Sequence, residues 1–291
     1  MPALCGEVAG AASVVLVLTF VTGVPRQAAE VGPGIWPDSR GWRQIRGLAG
    51  DSRGWRESSG MVESPDIDIL ARSELFRGVP ADVLRQLQAT SFRRKFAAGE
   101  TVFQQEDTVT TCYVVAVGRL RVTQSTLDGQ QIIIRYLGPG DVVGYAALTG
   151  GEVHPGAVTA VDDSHLIGMP AAVLREAMTR HAAIAINAAA LLGQRYRDLQ
   201  LRLRELATEK VERRIAHTLL RLAQQAGRRT ARGVEIAFPL SRQDLAEMTG
   251  TTLHTVSRTL SGWEGRGIID SGRRRVVIAK PGALTEVAEE G

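Results

Sequence analysis

The chain has 291 residues, 44% of them apolar, which is enough for two domains with cores of their own. Its formal charge of +4 admits a polyanionic partner, although nearly all the basic residues are arginine; only Lys95, Lys210 and Lys280 are lysine. The two cysteines, Cys5 and Cys112, exclude a disulfide framework and a multi-cysteine metal or iron–sulfur site within one chain.

Residues 1–60 differ from the rest. Ala9 to Val24 is an apolar run, marginally short for a membrane span. Glu7 is the only charge before it, so it lacks the basic segment of a signal peptide. DSRGWR then occurs at 38–43 and again at 51–56, among frequent Gly, Pro and Ser. This composition reads as disorder, or as translated upstream sequence before a start at Met61; a membrane anchor is the competing reading.

From Pro65 to Gln88 the apolar residues Leu70, Leu75, Phe76, Val79, Leu84 and Leu87 follow a helical pattern. Short β-prone runs then alternate with glycine-punctuated turns from Phe92 to about Met169: TVFQQ, TCYVVAVG, RLRVTQS, QQIIIRYLG, DVVGYAAL and AVTAVDDSHLIGM. Asp128-Gly129 between two of them is a hairpin signal. Such a series predicts a small β-barrel or roll.

The period becomes helical again from Pro170 to about Ala223. Ala185, Ala189, Leu192, Tyr196, Leu199, Leu203 and Leu206 recur at alternating spacings of three and four, the a and d positions of a heptad seam. One reading packs this helix on its own β-roll. The seam is longer than one small domain needs to cover, which favours a parallel dimer helix. Arg195, Arg197, Arg202 and Arg204 fall off the seam and are expected in solvent. A further helix is expected from Lys210 to Gln225.

SRQDLAEMTGTTLHTVSRTL, residues 241–260, reads as two short helices about a turn. Ser241 and Asp244 form a capping-box pattern, Gly250 supplies the turn, and Thr251 or Thr252 caps the second helix. Val256, Leu260 and Trp263 share one face of that helix, and His254, Ser257, Arg258 and Ser261 the other. An apolar back with a polar, basic front suits the major groove of DNA; an ordinary amphipathic helix pair is the alternative. GIIDSGRRRVVI follows, from Gly267 to Ile278, and reads as a hairpin turning at Asp270-Ser271-Gly272 with Arg273, Arg274 and Arg275 just past the turn.

Ser241-Arg242-Gln243-Asp244, Gly250, Thr255-Val256, Arg258 and Leu260, with the basic hairpin behind them, resemble the DNA-binding domain of the Crp/Fnr family of bacterial transcription regulators. The resemblance extends more loosely back to Leu75, where LGPGD at 137–141 and Gly144 look like the family's effector domain. It implies an α+β protein: a double-stranded β-helix roll over 61–175, a dimerisation helix over 176–208 and a winged helix-turn-helix over 209–291. It further implies a cytoplasmic homodimer on palindromic DNA with TTG-type half-sites, RNA polymerase as a partner, and no membrane. By this resemblance Arg258 and Ser257 read bases, His254 stands where the family usually has Glu, and Thr252, Thr255 and Arg273 belong to the same surface. Arg242 and Gln243 are expected on phosphate. Leu192, Tyr196, Leu199, Leu203 and Leu206 would form the dimer seam.

The effector pocket departs from the cyclic-AMP-binding members. Tyr145 stands where a ribose-binding Glu is expected, and His154-Pro155 where an Arg-Ser pair would hold the cyclic phosphate. Pro155 has no N–H to donate and a histidine is mostly neutral at pH 7, so cyclic AMP is disfavoured. Glu106 also replaces a glycine common in the family. The rest of the pocket is expected to be apolar: Val142, Val143, Ala146, Ala147, Leu148 and Val158. EMTGTTLHTVSR looks most like the nitric-oxide-responsive NnrR/Dnr branch, which implies haem; His154 and His181 are the axial candidates, with Tyr145 beside them. Two other readings stay open: a cupin-type β-barrel enzyme, which would need clustered metal ligands among strands that hold only His154 and His165, and a constitutive DNA-binding protein without an effector.

Overall fold

The computed structural model describes residues 65–289, so the expectations for residues 1–60 lie outside the described residues. The first helical stretch is split. Helix α1 (Pro65–Arg72) gives way to a 3₁₀ turn (Glu74–Phe76), and α2 (Ala81–Ala89) starts directly after Pro80. Proline fits at the head of a helix because its missing N–H is an orphan there.

Two four-stranded antiparallel sheets then form the roll. One has the order β1 (Phe92–Phe96), β8 (Ser164–Pro170), β3 (Thr111–Val117), β6 (Val142–Val143). The other has the order β2 (Thr101–Phe103), β7 (Ala157–Ala160), β4 (Leu120–Ser125), β5 (Gln131–Leu137). Phe96, Val115, Leu120, Leu137, Val143, Val158 and Leu166 fill the space between them. Gly129 turns the β4–β5 hairpin at φ 81°, as Asp-Gly suggested. Glu106, in the place of the missing glycine, holds φ 68°, so the turn keeps its left-handed geometry with a residue that disfavours it. The expected strand DVVGYAAL is only partly a strand: β6 ends at Val143, and Ala146–Thr149 form the short helix α3.

Helix α4 (Ala171–Arg180) leads into α5 (Ala182–Thr208). α5 carries two adjacent stripes. Ile184, Ala188 and Leu191 are buried in one cluster with residues of α1, the 3₁₀ turn, α2 and α4. One residue further round lies the seam, where Tyr196, Leu199, Leu203 and Leu206 are 54%, 62%, 66% and 51% exposed. Two of the arginines expected in solvent are not there: Arg195 and Arg202 continue the inward stripe and are half-buried. Heptad spacing reports only the outer face, and these residues lie on the face turned toward the roll.

Helix α6 (Val211–Ala226) opens the carboxy-terminal domain. It is followed by a hairpin, β9 (Gly227–Thr230) and β10 (Gly233–Ile236), which stands between α6 and the helix pair. Then come α7 (Arg242–Thr249), α8 (Leu253–Gly265), β11 (Ile269–Gly272), β12 (Arg275–Ile278) and α9 (Pro281–Glu289). The four strands make one sheet, β11-β12-β10-β9. The wing turns two residues later than Asp270-Ser271-Gly272 suggested. Gly272 pairs with Arg275, so Arg273 and Arg274 are the turn, with Arg274 at φ 58°. Asp270 and Ser271 lie in the strand because distant groups hold them: Arg232 and Arg275 face Asp270, and Glu264 accepts from the Ser271 N–H and hydroxyl.

The domain is packed against the roll. Ile133 and Tyr136 of β5 belong to the same buried cluster as Ile215, Phe238 and Leu245. The Tyr136 and Phe238 rings lie 4.5 Å apart, and the Arg119 guanidinium lies 4.7 Å from the Phe238 centroid. Among the described residues no helix is long and apolar enough to cross a membrane.

Candidate functional site

Two surfaces carry chemistry: the α7–α8 pair and a cavity at the junction of the roll with α5 and α6.

The α7 start is built as its sequence dictates. The Asp244 N–H donates to the Ser241 hydroxyl at 3.0 Å, and the Ser241 N–H donates to the Asp244 carboxylate at 2.8 Å. These two bonds satisfy donors that a helix start leaves orphaned. The other Asp244 oxygen accepts from Arg121 of β4 at 3.0 Å, so the cap is also a clasp onto the roll. Gly250 ends α7 at φ 62°, and the Thr252 hydroxyl accepts the Thr255 N–H at 3.2 Å to start α8.

On α8, Val256, Leu260 and Trp263 are at most 1% exposed, which fixes the rotation of the helix. Leu253, His254, Arg258 and Ser261 are exposed and Ser257 half-buried, so the four polar residues singled out in the sequence share the outer face. Thr252 and Thr255 are tied to each other at the amino end, 2.9 Å between hydroxyls. Arg242 is half-buried, its guanidinium 3.3 Å from the Ser271 hydroxyl and 3.8 Å from Glu264. Gln243 donates to Glu247, one turn on, at 3.0 Å. Arg273 stands exposed at the wing tip.

The cavity has a volume of about 500 Å³. Phe103, Val122, Val142, Val143, Ala146 and Val158 give it apolar walls, while Ala147 and Leu148, expected there, are packed into the core behind α3. Tyr145, His154 and Pro155 line it; His181 does not, being the residue between α4 and α5. The His154 ring is stacked on Phe103 with centroids 3.6 Å apart. Its backbone is fastened to the turn at Glu106: the Glu106 N–H donates to the His154 carbonyl, and the His154 N–H to the Asp107 carbonyl, each at 2.9 Å. Burial lowers the His154 pKa against the opposing pull of Asp107, which favours the neutral ring. Gly144, at φ 86°, lets this ring approach; a Cβ there would lie 3.4 Å from His154 Cε1 and 3.2 Å from the Thr111 carbonyl.

The far end of the cavity carries arginines, two of which, Arg195 and Arg202, were expected in solvent. Arg135, Arg195, Arg202 and Arg221 all line it. Arg195 donates to the Tyr145 hydroxyl at 3.2 Å, Arg202 to the Ile134 carbonyl, and Arg221 to Glu205 at 2.5 Å. Cys112 is fully buried, and burial pushes its thiol up to about 12, which makes it a packing residue and not a nucleophile. Among the described residues no cluster of three or more His, Cys, Asp or Glu side chains is arranged to hold a metal ion.

A capped helix pair with a basic wing, packed against a roll that holds a cavity, is the layout of a DNA-binding regulator. Residues 93–181 match the cyclic nucleotide-binding domain family, and 213–287 the Crp-like helix-turn-helix domain family. The chain is 30% identical over 216 residues to a cyclic AMP receptor protein of Thermus thermophilus, covering 74% of this chain and 97% of the relative. It is 30% identical over 218 residues to the nitrogen fixation regulation protein FixK of Azorhizobium caulinodans, covering 73% and 87%. FixK2 from Bradyrhizobium japonicum has a similar structure, with a TM-score of 0.62 at 25% identity over 69% of this chain and 98% of that one. The chain belongs to the Crp/Fnr family of transcription regulators. These relatives are regulators and not enzymes, which disfavours the cupin alternative, and the Crp-like helix-turn-helix makes this chain a DNA-binding protein.

Proposed function

We propose that this chain acts as a homodimer on a palindromic operator, that α8 reads the major groove, and that the roll cavity takes a small effector other than cyclic AMP. The rotation of α8 carries the DNA reading: a fully buried apolar back leaves His254, Ser257 and Arg258 outward at i, i+3 and i+4. Arg258 can fork onto O6 and N7 of a guanine, the commonest specific contact. The TTG-type half-site is retained with Arg258, and preference changes at the pair His254 faces, because Glu accepts from cytosine while neutral His offers one donor and one acceptor. Arg242 is braced by Ser271 of the wing and Glu264 of α8, and with Gln243 it positions the domain on phosphate. Thr252, Thr255 and Arg273 flank the same surface. The exposed seam supports the dimer, and contact with RNA polymerase follows from the regulatory role.

Selected-site binding tests the reading. Arg258→Ala should cost about 1–3 kcal/mol and flatten preference at one guanine. His254→Glu should shift preference at the neighbouring pair. An unchanged site for Arg258→Ala would remove α8 as the reading helix.

The name of the Thermus relative makes cyclic AMP the first effector to test. Against it stand the lining residues: Pro155 has no N–H, and the neutral His154 is stacked on Phe103. Nitric oxide through haem is the effector that the NnrR/Dnr-like wording of the helix-turn-helix supports. His154 fits an axial role better than His181, because it lines the cavity; a haem held there would supply an iron site for the gas. An absorption spectrum of anaerobic protein with haem should show a Soret band that moves with nitric oxide and is lost in His154→Ala. No haem uptake would leave the DNA reading intact and remove this effector.

A further inference from the structure

The cavity has two unlike ends. Around His154 and Phe103 it is aromatic and uncharged. At the other end four arginines, Arg135, Arg195, Arg202 and Arg221, face three carboxylates, Asp141, Asp198 and Glu205, so positive charge is in excess.

The excess sits on β5. Val122 pairs with Arg135 and Thr123 with Ile133, so Ile134 is an extra residue, a β-bulge. Bulges re-aim side chains next to binding sites. This one lets Ile134 and Arg135, adjacent in sequence, both line the cavity, while Ile133 and Tyr136 are buried against the DNA-binding domain. It also leaves the Ile134 carbonyl to accept from Arg202 of α5. Arg135 is only partly satisfied. Its Nη2 is 3.7 Å from Asp141, but Nη1 is buried with no hydrogen-bond partner. A buried charged donor left unpaired is costly unless a ligand completes it. Arg202 is under the same pressure, since burial and the neighbouring Arg221 push its pKa down to about 10. Arg221 differs from these two: it is committed to Glu205, which is 4% exposed.

We propose that Arg135 and Arg202 form an anion subsite at the α5 end of the cavity, and that the ligand the cavity holds is an amphiphilic organic acid. Its charged group lies between the β5 bulge and α5. Its apolar body extends over Val122, Val142, Val143 and Val158 toward His154. Guanidinium groups suit a carboxylate or a phosphate alike through paired N–H donors. This places the anion at the opposite end of the cavity from His154-Pro155, and it rests on the reading of the cavity as the effector site. The subsite joins three bodies, since β5 belongs to the roll, Arg202 to α5, and Arg221, its neighbour, to the DNA-binding domain.

The test uses the full chain and a pair of dyes, anilinonaphthalene sulfonate and its uncharged twin N-phenylnaphthylamine, both of which fluoresce in apolar cavities. The sulfonate should bind one per chain and about tenfold or more tighter than the twin, the size expected of one charge-assisted hydrogen bond. Arg135→Gln and Arg202→Gln should each remove that advantage while leaving the twin's affinity unchanged and without unfolding the protein, and Arg135→Lys should restore part of it. Equal binding of the two dyes, or sulfonate affinity unaltered in Arg135→Gln, would overturn the subsite. Competition separates the effector readings from the subsite. Haemin that displaces the sulfonate, with a Soret band lost in His154→Ala, supports the subsite with a porphyrin as the apolar body. Cyclic AMP that displaces it and needs Arg135 supports the subsite but overturns the exclusion of that nucleotide.

Discussion

Replacing Leu199 and Leu203 by Asp should convert the protein to monomers without unfolding it. Both side chains are more than three-fifths exposed in the protomer, at 62% and 66%. A leucine buried completely is worth about 1.5–3 kcal/mol, so covering what the protomer leaves bare adds roughly 1–2 kcal/mol for each. Two protomers contribute four such side chains, or about 4–8 kcal/mol of association energy, and the carboxylates add the cost of burying charge against the partner helix. A loss of that size weakens a dimer by roughly a thousandfold or more. Sedimentation velocity at micromolar concentration should find the wild type at twice the protomer mass and the variant at the protomer mass. Circular dichroism should be the same for both, because the buried stripe of α5, Ile184, Ala188 and Leu191, is untouched. A variant that stays dimeric would refute the seam; a wild type that is itself monomeric would refute the dimer.

Two further substitutions test the turn and the ring that shape the cavity. Glu106→Gly should raise stability by up to about 1 kcal/mol in denaturant unfolding, since it relieves a left-handed conformation that costs a side chain roughly 1–2 kcal/mol, less the greater freedom glycine has when unfolded; a loss would mean that the Glu106 side chain holds the turn. His154 should make the protein acid-sensitive. Its folded pKa lies below the ordinary value, so its contribution is complete above about pH 6.5 and is lost as pH falls through the folded pKa. Between about pH 8 and about pH 5.5 the wild type should lose more unfolding temperature than His154→Gln, and equal slopes would show that the ring does not resist protonation.

Local chemistry was readable in the sequence wherever it decides the structure alone. Ser241 and Asp244 close their capping box within four residues, Gly129 turns its hairpin, and the spacing of Val256, Leu260 and Trp263 gives the rotation of α8. What escaped depends on distant partners. Asp270-Ser271-Gly272 is a good turn sequence, yet Ser271 is held in a strand by Glu264 and Asp270 is faced by Arg232 and Arg275. Arg202 reaches a carbonyl 68 residues away, through a bulge that no periodicity announces. Heptad spacing found the exposed stripe of α5 but could not reveal that the next stripe carries arginines into a cavity. The pocket's apolar half was therefore anticipated in part, at Val142, Val143, Ala146 and Val158, and its charged half was missed.

The bulge also explains how occupancy could reach the DNA-binding domain. Along β5, Ile134 and Arg135 line the cavity, Ile133 is buried in the cluster with α6 and α7, and Tyr136 does both, lining the cavity and packing on Phe238. Any ligand that draws Arg135 and Arg202 together acts on the segment that carries Tyr136, and Asp244 beside it is held both by its helix cap and by Arg121. Losing the Arg121 contact would leave the cap's two backbone bonds in place, so α7 can leave the roll without unwinding. Packed cores move between discrete arrangements and do not deform smoothly, so a small displacement of β5 can be converted into release of the domain. A ligand does this only to the extent that it binds one arrangement better than the other. The Arg135–Arg202 pair meets that condition, because the bulge and α5 must be close for one anion to touch both.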